Sequence, residues 1–288
     1  MPNLFLSGIY YQELTQKSFK QPRPRFIRYY EDLHQLEKME PIDSNSYMTG
    51  AQLSYAELGD IILERCAKEE VLDVVDLMVV THWSYEFDPD YACGAYFCHR
   101  YGLQCKTLDV CDQGILSPFT AFHLMKNYVE HDNITNALLL CLDQTTVPHS
   151  ASYQGTLPEL TSVLGVYVTP SAFNKAGCEI VYSDVISIEN KKNIIDFLYS
   201  LLHIFSIDLH QINWYVDRND TELSRQIQVV FPNVTTISYK VNSAEPIAHI
   251  LRRVSTPTAG QTAYYGLIKN DVESSDYGIL IVKTGSEE

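Results

Sequence analysis

The chain passes twice through the same order of secondary structure, and this repetition limits the fold more than any other feature. In the first pass, strands are expected at 3–10, 76–83, 105–110, 137–142 and 162–169, with helices at 49–70, 90–101 and from Pro118 onward. In the second, strands are expected at 178–188, 212–216, 234–238, 262–270 and 277–284, with helices at 190–205, 221–231 and 244–254. Leu77-Met78-Val79-Val80 and Ala137 to Leu142 are continuous apolar runs, as strands buried on both faces require. Ile194, Ile195, Leu198, Leu201, Leu202 and Phe205 recur at helical spacing. Helices between buried strands imply right-handed crossovers and mainly parallel sheets. Two such halves, 1–172 and 173–288, predict a duplicated α/β architecture packed as one unit. Residues 12–45 are polar and read as irregular. They hold the one basic cluster, Lys17, Lys20, Arg23, Arg25 and Arg28, which reads as a solvated run with docking as the alternative.

Residues 105–130 form the centre of the first half. A short strand ends at Val110, a tight stretch Cys111-Asp112-Gln113-Gly114 follows, and Ser117 reads as an N-cap with Pro118 as the first helical residue. Phe119, Phe122, Met125 and Val129, flanked by Ala121, Leu124 and Tyr128, make a stripe too wide for a surface helix. A strand that turns sharply into a buried helix is a favourable place for a nucleophile, because the helix N-terminus stabilises developing negative charge.

The totals exclude several classes. A net charge of −15 argues against nucleic acid or an anionic membrane surface as partner. No apolar run approaches the roughly 20 residues of a membrane span. The start of the chain lacks a basic region followed by a long apolar core, so no signal peptide is expected. Seven cysteines, an odd number spread through predicted helices and strands, fit a reducing cytoplasm. Cys93 and Cys98 are too far apart for a metal knuckle and read as buried small residues, so neither metal nor cofactor is expected.

The double pattern and the central turn resemble the thiolase fold, with its layered αβαβα arrangement, and within it the ketoacyl-ACP synthase III family. The local pieces are Leu108-Asp109-Val110, then Asn127-Tyr128-Val129 and Ala137-Leu138, similar to the family's Phe-Asp-Val, nucleophile helix and next strand. Ile212-Asn213-Trp214-Tyr215-Val216 looks like the strand before the family's Pro-His-Gln motif. Tyr85-Glu86-Phe87 with Ala92-Cys93 resembles the loop that ends in Phe and leads into a helix. The family's reaction uses Cys, His and Asn. The resemblance puts the nucleophile at Gly114 or Ile115 and the His at Arg218, and keeps Asn242 within Val241-Asn242-Ser243-Ala244. Neither Gly114 nor Ile115 can attack a thioester, and an arginine cannot act as a base at neutral pH. Loss of a nucleophile alone costs on the order of a millionfold in rate. The family's glycine-rich segment before the first half's last strand is replaced by Thr161-Ser162-Val163.

Two functional classes remain open. One is a non-catalytic subunit paired with an intact synthase III-like homologue, or with itself, reaching acyl-CoA or acyl carrier protein through that partner. The resemblance implies pairing along Cys105, Lys106, Thr107, Leu108, Asp109 and Val110, with Phe87 walling the partner's acyl pocket. The other class is a rewired acyltransferase or thioesterase with Cys111 as nucleophile and His82 or His149 as base. Against it, Asp112 raises the thiol pKa and free cysteines are usually buried. Gln113 as the relic of a decarboxylase misses the family register by one. Arg218 and Asn219 are expected to fill the old His pocket, with Arg218 paired to Asp217 or Asp220.

Overall fold

The structure is a computed structural model that describes residues 4–15, 23–83, 92–111, 113–170, 178–188, 192–255, 262–271 and 274–285. The first half comprises β1 (Leu4–Glu13), α1 (Pro24–Leu36), α2 (Tyr55–Lys68), β2 (Leu77–His82), α3 (Cys93–Tyr101), β3 (Lys106–Val110), α4 (Ser117–His131), β4 (Ala137–Asp143) and β5 (Ser162–Thr169). The second comprises β6 (Cys178–Ser187), α5 (Lys192–Ile204), β7 (Ile212–Asp217), α6 (Thr221–Val230), β8 (Val234–Ile237), α7 (Ala244–Val254), β9 (Ala263–Asn270) and β10 (Asp276–Thr284).

The strands follow the order β3-β2-β4-β5-β1-β6-β10-β9-β7-β8. This is one five-strand pattern written twice. In each half the second strand pairs in parallel with the third and fourth, and the fifth runs antiparallel to the fourth and first. The halves meet where Leu4 and Phe5 of β1 pair with Ile180 and Glu179 of β6. The duplicated α/β fold read from the sequence is therefore present, and it matches the thiolase-like architecture.

The core explains the layering. Alternate residues of β2 and β4 pack outward against α2 and α3, and the opposite residues pack inward against α4 and α7. In the second half, Trp214 and Val216 pack outward beneath α5 and α6, while Tyr215 faces inward. The inner core joins α4 and α7 to strands of both halves, so these two helices form the central layer of five. Gly278 on β10 admits α4 closely: a Cβ there would lie 2.5 Å from the Phe119 ring. At β4 all seven residues are buried, which is why its sequence is continuously apolar until Asp143.

Three readings change. Residues 24–36 form helix α1 rather than irregular chain, because Phe26, Tyr30 and His34 bury one face while Arg23, Arg25 and Arg28 stay exposed. So sparse a stripe is hard to see in sequence. Arg23 and Arg25 lie over the Phe26 ring at 5.6 and 5.0 Å. Helix α2 starts six residues later than expected, at Tyr55, behind the N-cap Ser54, whose side chain forms a capping box with Glu57. Ser117 is the first residue of α4, not its N-cap. The helix grows out of a 3₁₀ turn, Gly114–Leu116, and the Ser117 hydroxyl donates to Gly114 O at 3.1 Å. No helix among the described residues is long and apolar enough to cross a membrane.

Candidate functional site

Side-chain parity sets what enters the space between the halves. Asp217, at the tip of β7, shares the inward face with Tyr215, and Lys269 near the tip of β9 shares it with Leu267. Both are 6% exposed. Lys269 Nζ donates to Asp217 Oδ2, and the Asn219 N–H donates to the other carboxylate oxygen at 2.9 Å. A buried ion pair is tolerated when further hydrogen bonds complete it in this way. The Lys269 ammonium also lies 5.7 Å from the centre of the Tyr239 ring. Asn270 Nδ2 donates to Asp220 Oδ2 at 2.7 Å, and Asp220 caps α6 by accepting from the Leu223 N–H at 3.0 Å.

These residues, with Asp271 and Val241, wall a cavity of about 120 Å³. Trp83, Ile115 and Thr156 of the first half close it. Two buried atoms of these residues, Asn270 Oδ1 and the Tyr239 hydroxyl, make no hydrogen bond. Burial, reinforced by Asp217 and Glu245, pushes the Tyr239 phenol well above its ordinary range, so it remains protonated. No group of three or more His, Cys, Asp or Glu suited to a metal occurs among the described residues.

The turn into α4 reaches the same cavity through Ile115. Gly114 has φ of 50°, in the left-handed region that favours glycine, and a Cβ there would meet the Trp83 indole at 3.6 Å. Ile115 is an apolar lining residue. Gln113 is exposed and accepts from Thr120 Oγ1 at 2.5 Å.

Among the other sequence candidates, Cys111 and His82 stay side by side: each follows an inward-facing residue of the Val110–Thr81 pair, so both turn to the outer side at neighbouring strand ends. Cys111 is exposed. Alternation sends His82 to the outer layer, where its ring packs on Tyr55 with centroids 4.8 Å apart. Burial raises the Asp109 carboxyl, against a lowering influence from His82. His149 Nδ1 is held 2.6 Å from Val147 O within its own loop. Arg218 is exposed, because parity turns it outward and Asp217 inward; Asn219 is exposed but lines the cavity. The buried cation paired with Asp217 is Lys269, from β9, the neighbouring strand in the sheet.

Asn242 is fully buried. Its Nδ2 donates to Ser162 Oγ at 3.1 Å and its Oδ1 accepts from the Glu245 N–H at 2.8 Å, so it secures the first turn of α7. Beside it lies a residue that sequence reasoning missed. The fully buried carboxylate of Asp143 accepts from Ser243 Oγ at 2.7 Å, Ala244 N at 2.9 Å, Ser243 N at 3.1 Å and Ser162 Oγ at 3.3 Å. Burial raises its pKa to about 6, with those donors pulling the other way. The signal was a lone acidic residue ending a continuous apolar strand.

Along the expected pairing edge, β3 contains Lys106, Thr107, Leu108, Asp109 and Val110 and is the terminal strand, bonded to β2 alone among the described strands. Cys105 precedes it and faces the outer core, its sulfur 3.7 Å from that of Cys98; burial, then Cys98, pushes its thiol up to about 12. Phe87 lies outside the described residues.

No protein-family model matches the sequence, and no curated protein matches it. Solved structures do match the fold. ChlB3, described as an acyltransferase, has 10% sequence identity and a TM-score of 0.69, with 99% of this chain and 98% of that one covered. An OleA variant from Xanthomonas campestris, solved with bound lauric acid and lauroyl-CoA, has 9% identity and a TM-score of 0.66 over 98% of this chain and 99% of that one. The 3-oxoacyl-[acyl-carrier-protein] synthase III of Aquifex aeolicus has 10% identity and a TM-score of 0.54, covering 77% of this chain and 81% of its own. At such identities the likeness establishes a thiolase-like fold shared with condensing enzymes.

Proposed function

We propose that this chain is a non-catalytic subunit of a ketoacyl synthase III-like condensing enzyme of fatty-acid or polyketide-type metabolism. Its partner is a homologue that retains Cys, His and Asn, or a second copy of itself. One observation carries the reading: the turn into α4, where the fold offers a nucleophile its helix N-terminus, holds Gly114 at positive φ beside Trp83 and the apolar Ile115 on the cavity lining. The resemblance's base position adds support, since it holds an exposed arginine. Its Asn position is occupied in holding α7 to Ser162. The terminal place of β3 supports pairing, because an unpaired strand edge is a surface that proteins cover or join. Acyl groups on CoA or a carrier protein then reach the partner's nucleophile. The net charge of −15 disfavours direct docking of an acidic carrier here. Phe87 is proposed to wall the partner's acyl pocket.

The test has two arms. The chain is purified with and without co-expressed homologues and weighed intact by native mass spectrometry, with a complex through β3 expected. In that complex, Phe87→Ala leaves assembly intact and alters the partner's acyl-chain preference. The isolated chain is then incubated with a panel of acyl-CoA thioesters, with no covalent adduct expected. A monomer at micromolar concentration with every homologue overturns the assembly role. A stable acyl adduct lost in Cys111→Ala overturns the non-catalytic role and restores the Cys111 reading.

A further inference from the structure

We propose that Cys98 and Cys105 form a redox-sensitive clasp, which a peroxide closes into a disulfide that braces the edge strand β3. Two free thiols meet there: their sulfurs lie 3.7 Å apart, and neither residue is fully buried. Sulfurs joined in a disulfide are about 2 Å apart, so these need to close by only roughly 1.7 Å, within reach of side-chain rotation. Backbone hydrogen bonds hold the approach in place. Cys98 lies in the last turn of α3, which Gly102 caps at φ of 67°. The N–H groups of Gly102 and Leu103 both donate to Cys98 O, so the chain folds back over the helix end. Lys106 then opens β3 by donating its N–H to Asp76 O at 2.9 Å. Cys105 is thereby pinned between a helix cap and the start of the sheet ladder, with its side chain against the outer core.

The chemistry balances with a peroxide as the oxidant. Cys98 takes one peroxide oxygen to become a sulfenic acid, and the other oxygen leaves as water. The Cys105 sulfur then attacks the Cys98 sulfur; the S–O bond breaks and the hydroxyl departs with the Cys105 proton as a second water. The two thiols lose two electrons and the peroxide gains them. Burial, and then Cys98 itself, pushes the Cys105 thiol up to about 12, which makes Cys105 the resolving partner rather than the first to react. Its closeness to Cys98 offsets its weak acidity, because the attack is intramolecular. Competition is limited. Cys66, Cys93, Cys141 and Cys178 are buried, and the exposed Cys111 is separated from Cys105 by the length of β3. The bond would tie the end of α3 to a strand that pairs with β2 alone among the described strands, whether or not its free edge meets a partner. In a reducing compartment such a bond is transient and reports oxidation.

The full chain is treated with hydrogen peroxide, alkylated without reductant and mapped by peptide mass spectrometry. A Cys98–Cys105 cross-link, two hydrogens lighter than the reduced pair and reversed by dithiothreitol, is expected. Hydrogen exchange at the β3 amides is expected to slow severalfold in the oxidised form. Cys105→Ser is expected to stop at the Cys98 sulfenic acid, captured by dimedone, with β3 exchange unmoved by peroxide. Should that variant fail to fold, Cys98→Ser serves in its place, with no cross-link and no change in β3 exchange expected. Both thiols remaining open to alkylation after peroxide, a cross-link through Cys111 instead, or β3 exchange unchanged in the cross-linked protein overturns the proposal.

Discussion

Two carboxylates are buried at strand tips facing the central layer, one in each half, and they are stabilised by opposite means. Asp143, ending β4, is held by four neutral donors: two backbone N–H groups at the start of α7 and two serine hydroxyls. Asp217, ending β7, is held by a full charge, that of Lys269. The neutral shell leaves Asp143 with a raised pKa of about 6 and seals the junction between the halves. The charged pair sits beside an open cavity and two unpartnered polar atoms. Neutral donors saturate the carboxylate at the junction of the halves, whereas a countercharge from a neighbouring strand neutralises the one beside the cavity.

The largest break in this comparison is expected from Lys269→Met. It strands the Asp217 charge in the core and is expected to cost about 3–5 kcal/mol in urea unfolding, the usual penalty for removing one member of a buried pair. The double variant Asp217→Asn, Lys269→Met is expected to recover much of that loss. Equal loss in both variants would mean that packing, not charge, holds the pair.

Asp143 has no countercharge to lose, so its signature is pH dependence. Its folded pKa lies above the unfolded carboxylate value of about 3.9. Between about pH 4 and pH 6 the folded state therefore binds more protons than the unfolded state, and stability falls as pH rises through that window. The span of about two pH units corresponds to an upper figure on the order of 3 kcal/mol. Urea unfolding from pH 4 to pH 7 measures it, and Asp143→Asn is expected to flatten this component of the profile. A profile unchanged in Asp143→Asn would assign the dependence to other groups.

A smaller effect is expected beside it. Asn242→Ala removes an acceptor from the Glu245 N–H and a donor to Ser162, for about 1–2 kcal/mol. The smallest is Arg218→Ala, expected within about 0.5 kcal/mol in thermal unfolding because the side chain is exposed. A loss above 2 kcal/mol there would restore the expectation that Arg218, not Lys269, neutralises Asp217.

The sequence by itself determined the duplication, the order of elements along each half and the burial of α4, because continuous apolar runs and helical periodicity report burial directly. It marked Gly114 and Ile115 as unable to attack a thioester, since that follows from side-chain chemistry alone. It missed α1, whose buried face rests on Phe26, Tyr30 and His34 within a polar stretch. Only the tertiary structure decided the site. Asp217 and Arg218 are adjacent in the chain, and the pleat, not their identity, turned one inward and the other to solvent. Lys269 meets Asp217 across 52 residues and Asp143 meets Ser243 across 100. Such contacts arise from the parallel pairing of β7 with β9 and from α7 packing between the halves, and no local pattern encodes them.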